Sequence, residues 1–215
     1  MKLTPRINKD RWRETHDRIL ASAEHLFATK GFNGTSMNDI VEASGQSKGA
    51  IYNHFESKEM LFLSLLEKQT RLGLDQLLAS FTAKDTVVDK LEKLLDLTMV
   101  NSCDCPSEIG RMQIEFMIGA SRIKSLTSEM KGRYNTIHTF VRELIDEGIK
   151  NGEFKSEVDS ESLTSLLYAT IDGLGLQYST LGLEFDSQRL KKALLETVFG
   201  GILKKNHKEN SGSLD

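Results

Sequence analysis

From residue 6 to residue 105 the chain contains no proline, and none follows Pro106. Proline is the residue that most strongly interrupts a helix, at about 3 kcal/mol in an interior position. Nearly the whole chain is therefore free to run helical. The apolar residues agree, with 29 leucines against seven valines. Leucine loses little rotamer freedom in a helix, whereas valine is stiff at χ1 and suits strands. No run alternates apolar and polar residues for long enough to make a strand. The expected fold class is all-α.

At 215 residues, with 28 Lys and Arg against 31 Asp and Glu, the chain suits one large or two small domains and can bury roughly 70% of its unfolded surface. A hydrophobic content of 39% and a charged content of 27% exclude disorder as the main state. No apolar run approaches the ~18 residues of a membrane span, and the opening Met1-Lys2-Leu3-Thr4-Pro5-Arg6 lacks the apolar core of a signal peptide. A cytoplasmic protein without a membrane partner is expected. The charge is uneven. Residues 1–30 hold seven basic and four acidic side chains, a net of +3, so the remainder carries −6. A basic end on an acidic body suits a polyanionic partner, and equally a solvated helix end.

From Arg11 to Lys30, the positions Ile19, Leu20, Ala23, Leu26 and Phe27 make one helical stripe, which Gly31 ends. Ser36 and Asp39 fit the Ser-x-x-acid signature of a helix start, and Gly45 can take the positive φ of a tight turn. Ser47 caps a third helix with Ile51 and Phe55 inward. Ser57 caps a fourth, with Leu61, Leu65, Leu66, Leu72 and Leu77 as its stripe. Two short helices joined around a glycine form a helix-turn-helix, and the long helix before them supplies the third wall of its core. Further helical patterns cover 86–102, 107–121, 125–150, 159–181 and 186–205, and a polar tail follows. The expected organisation is a basic arm over 1–10, a helix-turn-helix domain over 11–56, a helical domain over 57–203 and the tail over 204–215.

Chemistry concentrates on the third helix. Opposite Ile51, it presents Lys48, Gly49, Tyr52 and Asn53. Lys48 can donate to phosphate or to guanine, Asn53 can pair an adenine edge, and Tyr52 offers a ring and a phenolic donor. Gly49 costs a helix interior about 1 kcal/mol relative to alanine, which points to a reason other than helix stability. The helix starts at Ser36 and at Ser57-Lys58 offer backbone N–H groups to phosphate oxygens. The same residues also read as an ordinary solvated face.

Residues 11–69 resemble the DNA-binding domain of the TetR/AcrR family of bacterial transcriptional regulators. The resemblance is carried by Ile19-Leu20-Ala21-Ser22-Ala23, Leu26-Phe27, Gly31-Phe32 and Thr35-Ser36-Met37-Asn38-Asp39-Ile40. It continues through Ala43-Ser44-Gly45-Gln46-Ser47-Lys48-Gly49-Ala50-Ile51-Tyr52-Asn53-His54-Phe55 and Ser57-Lys58-Glu59-Met60-Leu61. Ser44, where the family commonly has alanine, and Val41-Glu42 depart from the pattern. The resemblance implies a homodimer on a palindromic operator, with Thr35, Ser36, Tyr52, His54 and Lys58 at phosphates and Gln46, Ser47, Lys48, Gly49 and Asn53 near base edges. It further implies a C-terminal domain that binds a small-molecule effector and dimerises through the last two long helices. In the first of those helices the stripe of Leu163, Leu166, Leu167, Thr170, Ile171, Leu174 and Tyr178 is expected at the interface, and in the second the matching stripe of Leu190, Ala193, Leu194, Thr197, Val198 and Gly201. The expected function is a ligand-responsive regulator, a repressor released by a small apolar or amphipathic effector. An activator, a regulator controlled by a protein partner, and a small-molecule-binding helical protein with a vestigial helix-turn-helix are the alternatives.

For the effector site, Met99, Met112, Phe116, Tyr134, His138 and Tyr168 suit an adaptable apolar cavity, and Glu115 or Asp172 could pair a cationic ligand. Cys103 and Cys105 lack the further ligands of a metal site, and Asp104 between them disfavours a thiolate, so they read as loop cysteines. No phosphate-binding glycine loop, nucleophile elbow or paired metal motif is present. No catalytic residue, metal or cofactor is expected.

Overall fold

The computed structural model describes residues 5–99 and 108–203; Cys103 and Cys105 lie outside them. The described chain is helical, in the order α1 (Pro5–Gly34), α2 (Met37–Ser44), α3 (Lys48–His54), α4 (Lys58–Ser80), α5 (Val87–Met99), α6 (Glu108–Ala120), α7 (Lys124–Asn151), α8 (Ser160–Leu181) and α9 (Ser187–Leu194). A π-helical segment, Leu195–Phe199, and a last short turn follow α9. Helix α1 starts earlier than the apolar stripe indicated, because the fixed φ of Pro5 suits a first helical position. The expected arm is therefore helical from Pro5 onward. Gly31 breaks α1 with φ 75° and ψ 168°, a conformation that glycine alone adopts freely.

Two compact units are present. The first gathers the described residues up to Asp75 with those from α6 to Arg133; the second gathers the described residues from Gln76 to Met99 and from Tyr134 onward.

In the first unit, Ile19, Leu20, Ala23 and Phe27 of α1 meet Ile40, Ile51, Phe55 and the start of α4 in one buried core. Phe62 sits at its centre, 5.2 Å from Phe27, 5.1 Å from Phe32 and 4.8 Å from Phe116, ring to ring. Aromatic pairs of this kind contribute about 0.5–1.5 kcal/mol each beyond their area. Phe116 and Met112 of α6 thus close the core of the helix-turn-helix, an assignment no local periodicity announces. Leu72, expected in the α4 stripe, is exposed instead.

In the second unit, α5 contributes Leu91, Leu94, Leu95 and Met99, α7 contributes Val141, Leu144 and Ile145, and α8 contributes Leu163 and Leu167. Phe154 and Phe199 are buried among them, with ring centres 6.1 Å apart. The Lys191 ammonium of α9 reaches Asp96 of α5 at 2.6 Å and Glu92 at 3.3 Å. Asp159 caps α8, and Gly182 ends it at φ 64°. The expected α8 stripe divides. Leu163 and Leu167 turn into the unit, Leu166 and Thr170 are exposed, and Ile171, Leu174 and Tyr178 are half-buried; Leu176 and Leu181, outside the stripe, are exposed too. Successive residues lie about 100° apart on a helix, so adjacent Leu166 and Leu167 cannot both face one core.

Candidate DNA-binding site

The short helices α2 and α3 are fixed at both ends by their own residues. Ser36 accepts from the Asp39 amide at 3.1 Å, and the Asp39 carboxylate accepts from the Ser36 amide at 2.8 Å, which closes a reciprocal cap. Lys30 reaches the same carboxylate at 2.6 Å. Lys30, then the Ser36 hydroxyl and amide, hold the Asp39 carboxyl well below the ordinary carboxylate range. Gly45 turns the chain at φ 64°, and the Gln46 amide donates to Ser44 Oγ at 3.3 Å. Ser47 caps α3 by accepting from the Ala50 amide at 3.2 Å. Ile51, fully buried, and Phe55 then press one side of α3 into the core.

That anchoring decides what faces outward. Ser47, Lys48, Gly49, Tyr52 and Asn53 are exposed on α3, and Gln46 is half-buried beside them. The Lys48 ammonium lies 6.0 Å from the Tyr52 ring centre. A Cβ placed on Gly49 would meet nothing within 4 Å, so packing inside the chain does not require glycine there. The first turn of α3 carries a cation and no acid, which leaves the positive end of the helix without a counter-charge. An open cleft of about 440 Å³ lies beside this face, between the starts of α2 and α4, lined by Ser36, Met37, Tyr52, Ser57 and Lys58. Glu56 and Glu59 also border it.

Three of the expected phosphate contacts stand differently. Thr35 is buried at 2% exposure, and its hydroxyl donates to Gly31 O at 2.8 Å and Leu26 O at 3.2 Å. It serves the broken end of α1, whose last carbonyls have no helical partner. Lys58 is half-buried and folds back: its ammonium donates to Phe32 O at 2.8 Å and sits 4.3 Å from the Phe32 ring centre. His54 lies in an aromatic group with Trp12 at 4.5 Å and His16 at 5.9 Å, and His16 in turn lies 4.9 Å from Phe55. The His54 Nδ1 atom is buried without a hydrogen-bond partner. Burial, then the charge of His16, push the His54 imidazole below its ordinary range. A single pattern signal existed for this group, namely that Trp12 and His16 are one helical turn apart.

A model for bacterial regulatory proteins of the tetR family matches residues 19–65, and one for the tetracyclin repressor-like C-terminal domain matches residues 90–191. The chain belongs to the TetR family. The TetR-type helix-turn-helix is the arrangement described above, and the chain is a DNA-binding transcriptional regulator. Among its relatives, the HTH-type regulator YfiR of Bacillus subtilis is 27% identical over 172 residues, covering 80% of this chain and 83% of that one. A TetR-family regulator from Cytophaga hutchinsonii superposes with a TM-score of 0.73 at 24% identity, over 91% of this chain and 98% of the other. FadR from Bacillus subtilis, crystallised with stearoyl-CoA, superposes with a TM-score of 0.69 at 18% identity, over 86% and 98% respectively.

The residues expected to form an effector site fall into both units. Met112 and Phe116 belong to the core beneath the helix-turn-helix, and exposed Glu115 accepts from Asn33 at 3.5 Å. In the second unit, Tyr134 lies 5.4 Å from His138 and 5.1 Å from Tyr168, ring to ring. His138 Nε2 is 3.4 Å from Ser165 Oγ and 3.7 Å from a Glu161 carboxylate oxygen. Met99 is buried in the core of this unit, and Asp172 is exposed on α8. No helix among the described residues is long and apolar enough to cross a membrane.

Proposed function

We propose that this TetR-family chain is a cytoplasmic repressor that binds a palindromic operator as a homodimer and leaves it when a small apolar or amphipathic effector binds. The observation that carries the reading is α3: Ile51 and Phe55 fix one side, and Lys48, Gly49, Tyr52 and Asn53 are exposed on the other. Lys48, Asn53, Gln46 and Ser47 meet base edges, and Gly49 lets the backbone approach the groove. Ser36 and Tyr52 take phosphates at the cleft between α2 and α4, where the helix starts favour an anion. Lys58 adds its remaining donors to that cleft, and His54, stacked on Trp12, acts by fixing the end of α3 against α1. Thr35 acts by position, since it sets the junction from which α2 starts.

The exposed Leu166, Leu176 and Leu181 on α8 support a dimer through that face. For the effector, Tyr134, His138 and Tyr168 offer an aromatic wall; Met99 belongs to the core against which Tyr168 packs, and Asp172 follows Tyr168 by one turn of α8. FadR, of like fold, holds stearoyl-CoA, an amphipathic molecule. Effector binding would favour a dimer whose recognition helices no longer match half-sites about 34 Å apart. To reverse occupancy from 99:1 to 1:99 the effector must prefer the released state by about 5.5 kcal/mol.

The test is titration of the purified protein onto a duplex recovered from a random-sequence pool, in excess nonspecific competitor. Wild type should saturate at two subunits per site. Lys48→Ala and Tyr52→Ala should abolish specific binding with an unchanged helical spectrum and dimer. Normal affinity in both variants would overturn the α3 assignment.

A further inference from the structure

The first turns of α1 sort their charges by face. At 3.6 residues per turn, Lys9, Trp12, Arg13 and His16 fall within one sector of about 100°, while Asp10, Glu14 and Asp17 share the neighbouring one. Arg18 lies on the far side from Lys9. The sector that carries Trp12 and His16 is laid against the C-terminal end of α3, with the Trp12 ring 4.5 Å from His54. Lys9 and Arg13 are exposed beside this contact. Among the described residues none forms an ion pair with either of them. They stand four positions apart, where like charges on a helix repel, and an anion between them removes that conflict. Trp12, the chain's one tryptophan, stays half exposed while docked on the recognition helix. A docked ring of this kind gives the basic side chains a fixed position relative to α3 instead of a freely moving one.

We propose that this face of α1 is a second DNA contact: Lys9 and Arg13 take backbone phosphates flanking the half-site read by α3, and the Trp12–His54 stack holds them in register. The assignment rests on the operator-binding reading above. The contact carries no base information. It adds affinity through counterion release and lengthens the protected stretch of DNA.

The experiment measures affinity against salt on the selected duplex, by fluorescence anisotropy, for wild type, for the double variant Lys9→Gln/Arg13→Gln, and for Arg18→Gln. All three positions are exposed, and matching circular dichroism spectra establish that the fold is kept. With two subunits on the duplex, loss of two phosphate contacts in each should reduce the steepness of log K against log salt by about 3.6 units, at about 0.9 per contact. The loss should be equal on a scrambled duplex, and it should vanish on a duplex trimmed to the α3 half-sites. Arg18→Gln should keep the wild-type slope. A wild-type slope in the double variant, while wild type binds its duplex specifically, overturns the second contact and leaves the operator reading standing. An equal drop in Arg18→Gln also overturns it, since overall charge then explains the effect. Failure of wild type to bind any duplex overturns the operator reading and this contact with it.

Discussion

The ammonium of Lys58 donates to the carbonyl of Phe32 at 2.8 Å and lies 4.3 Å from the centre of the same residue's ring. A cation at the first position of α4 opposes that helix's dipole. By leaning back over the end of α1, it meets instead a carbonyl and the negative face of a ring, both of which favour positive charge. The side chain therefore ties the two long helices that flank the helix-turn-helix.

Lys58→Met should accordingly lower the stability of the unit by about 2–4 kcal/mol, the sum of a charged hydrogen bond and a half-exposed cation–π contact. Urea unfolding without DNA reads this directly. An unchanged midpoint would mean that the residue serves DNA alone.

Asp39 gives a pH-dependent test. Its folded carboxyl titrates below the ordinary value of 3.8, so its stabilisation is complete above that value and is lost as the pH falls beneath it. Asp39→Asn should melt earlier than wild type at neutral pH. The gap between the two should close on acidification through the same range. A gap that persists in acid would locate the effect elsewhere than in the ionised cap.

His54 behaves in the opposite chemical sense. Its neutral form is favoured in the fold, because the surrounding rings withdraw it from water and His16 adds repulsion. The contribution is intact above its ordinary value of 6.5 and declines as the pH falls below it. Wild type should lose thermal stability between about pH 7 and pH 5, and His54→Phe, which keeps a ring and cannot take a proton, should lose less. Parallel losses in both proteins would remove His54 from the account.

Gly148 tests packing in the second unit. A Cβ there would lie 2.4 Å from Cδ2 and Cε2 of Phe154, a ring with no exposed surface into which to retreat. Alanine in a helix interior ordinarily gains about 1 kcal/mol over glycine. Overpacking of a filled core costs about 1–3 kcal/mol. Gly148→Ala should therefore be destabilising on balance, by about 1 kcal/mol. A higher urea midpoint would contradict the ring's placement.

What could be read in the chain was what short range controls. Ser36, Gly45 and Ser47 mark their helix ends because capping and positive φ are properties of a few adjacent residues. The outward set on α3 follows once Ile51 and Phe55 are known to point inward. The inward turn of Thr35 was not legible, since it depends on where the carbonyls freed by Gly31 come to lie. The company kept by Lys58 and His54 depends likewise on α1 crossing behind them. The membership of Phe116 in the core around Phe62 joins positions 54 apart in the chain (116 minus 62), and a methionine- and phenylalanine-rich helix suits a binding cavity as well as it suits a core. The exposed half of the α8 stripe was hidden by the helix itself, whose apolar residues outnumber the positions one buried face can take.

Because Phe116 and Met112 complete the core around Phe32 and Phe62, the DNA-reading unit is assembled from two separate stretches of the gene. A fragment ending at Asp75 would leave those rings uncovered. A chimera made at a single junction would join the reading head of one regulator to a foreign floor. Exchange of operator specificity between such proteins must carry α6 along with the first 75 residues, or confine itself to the exposed side chains of α3.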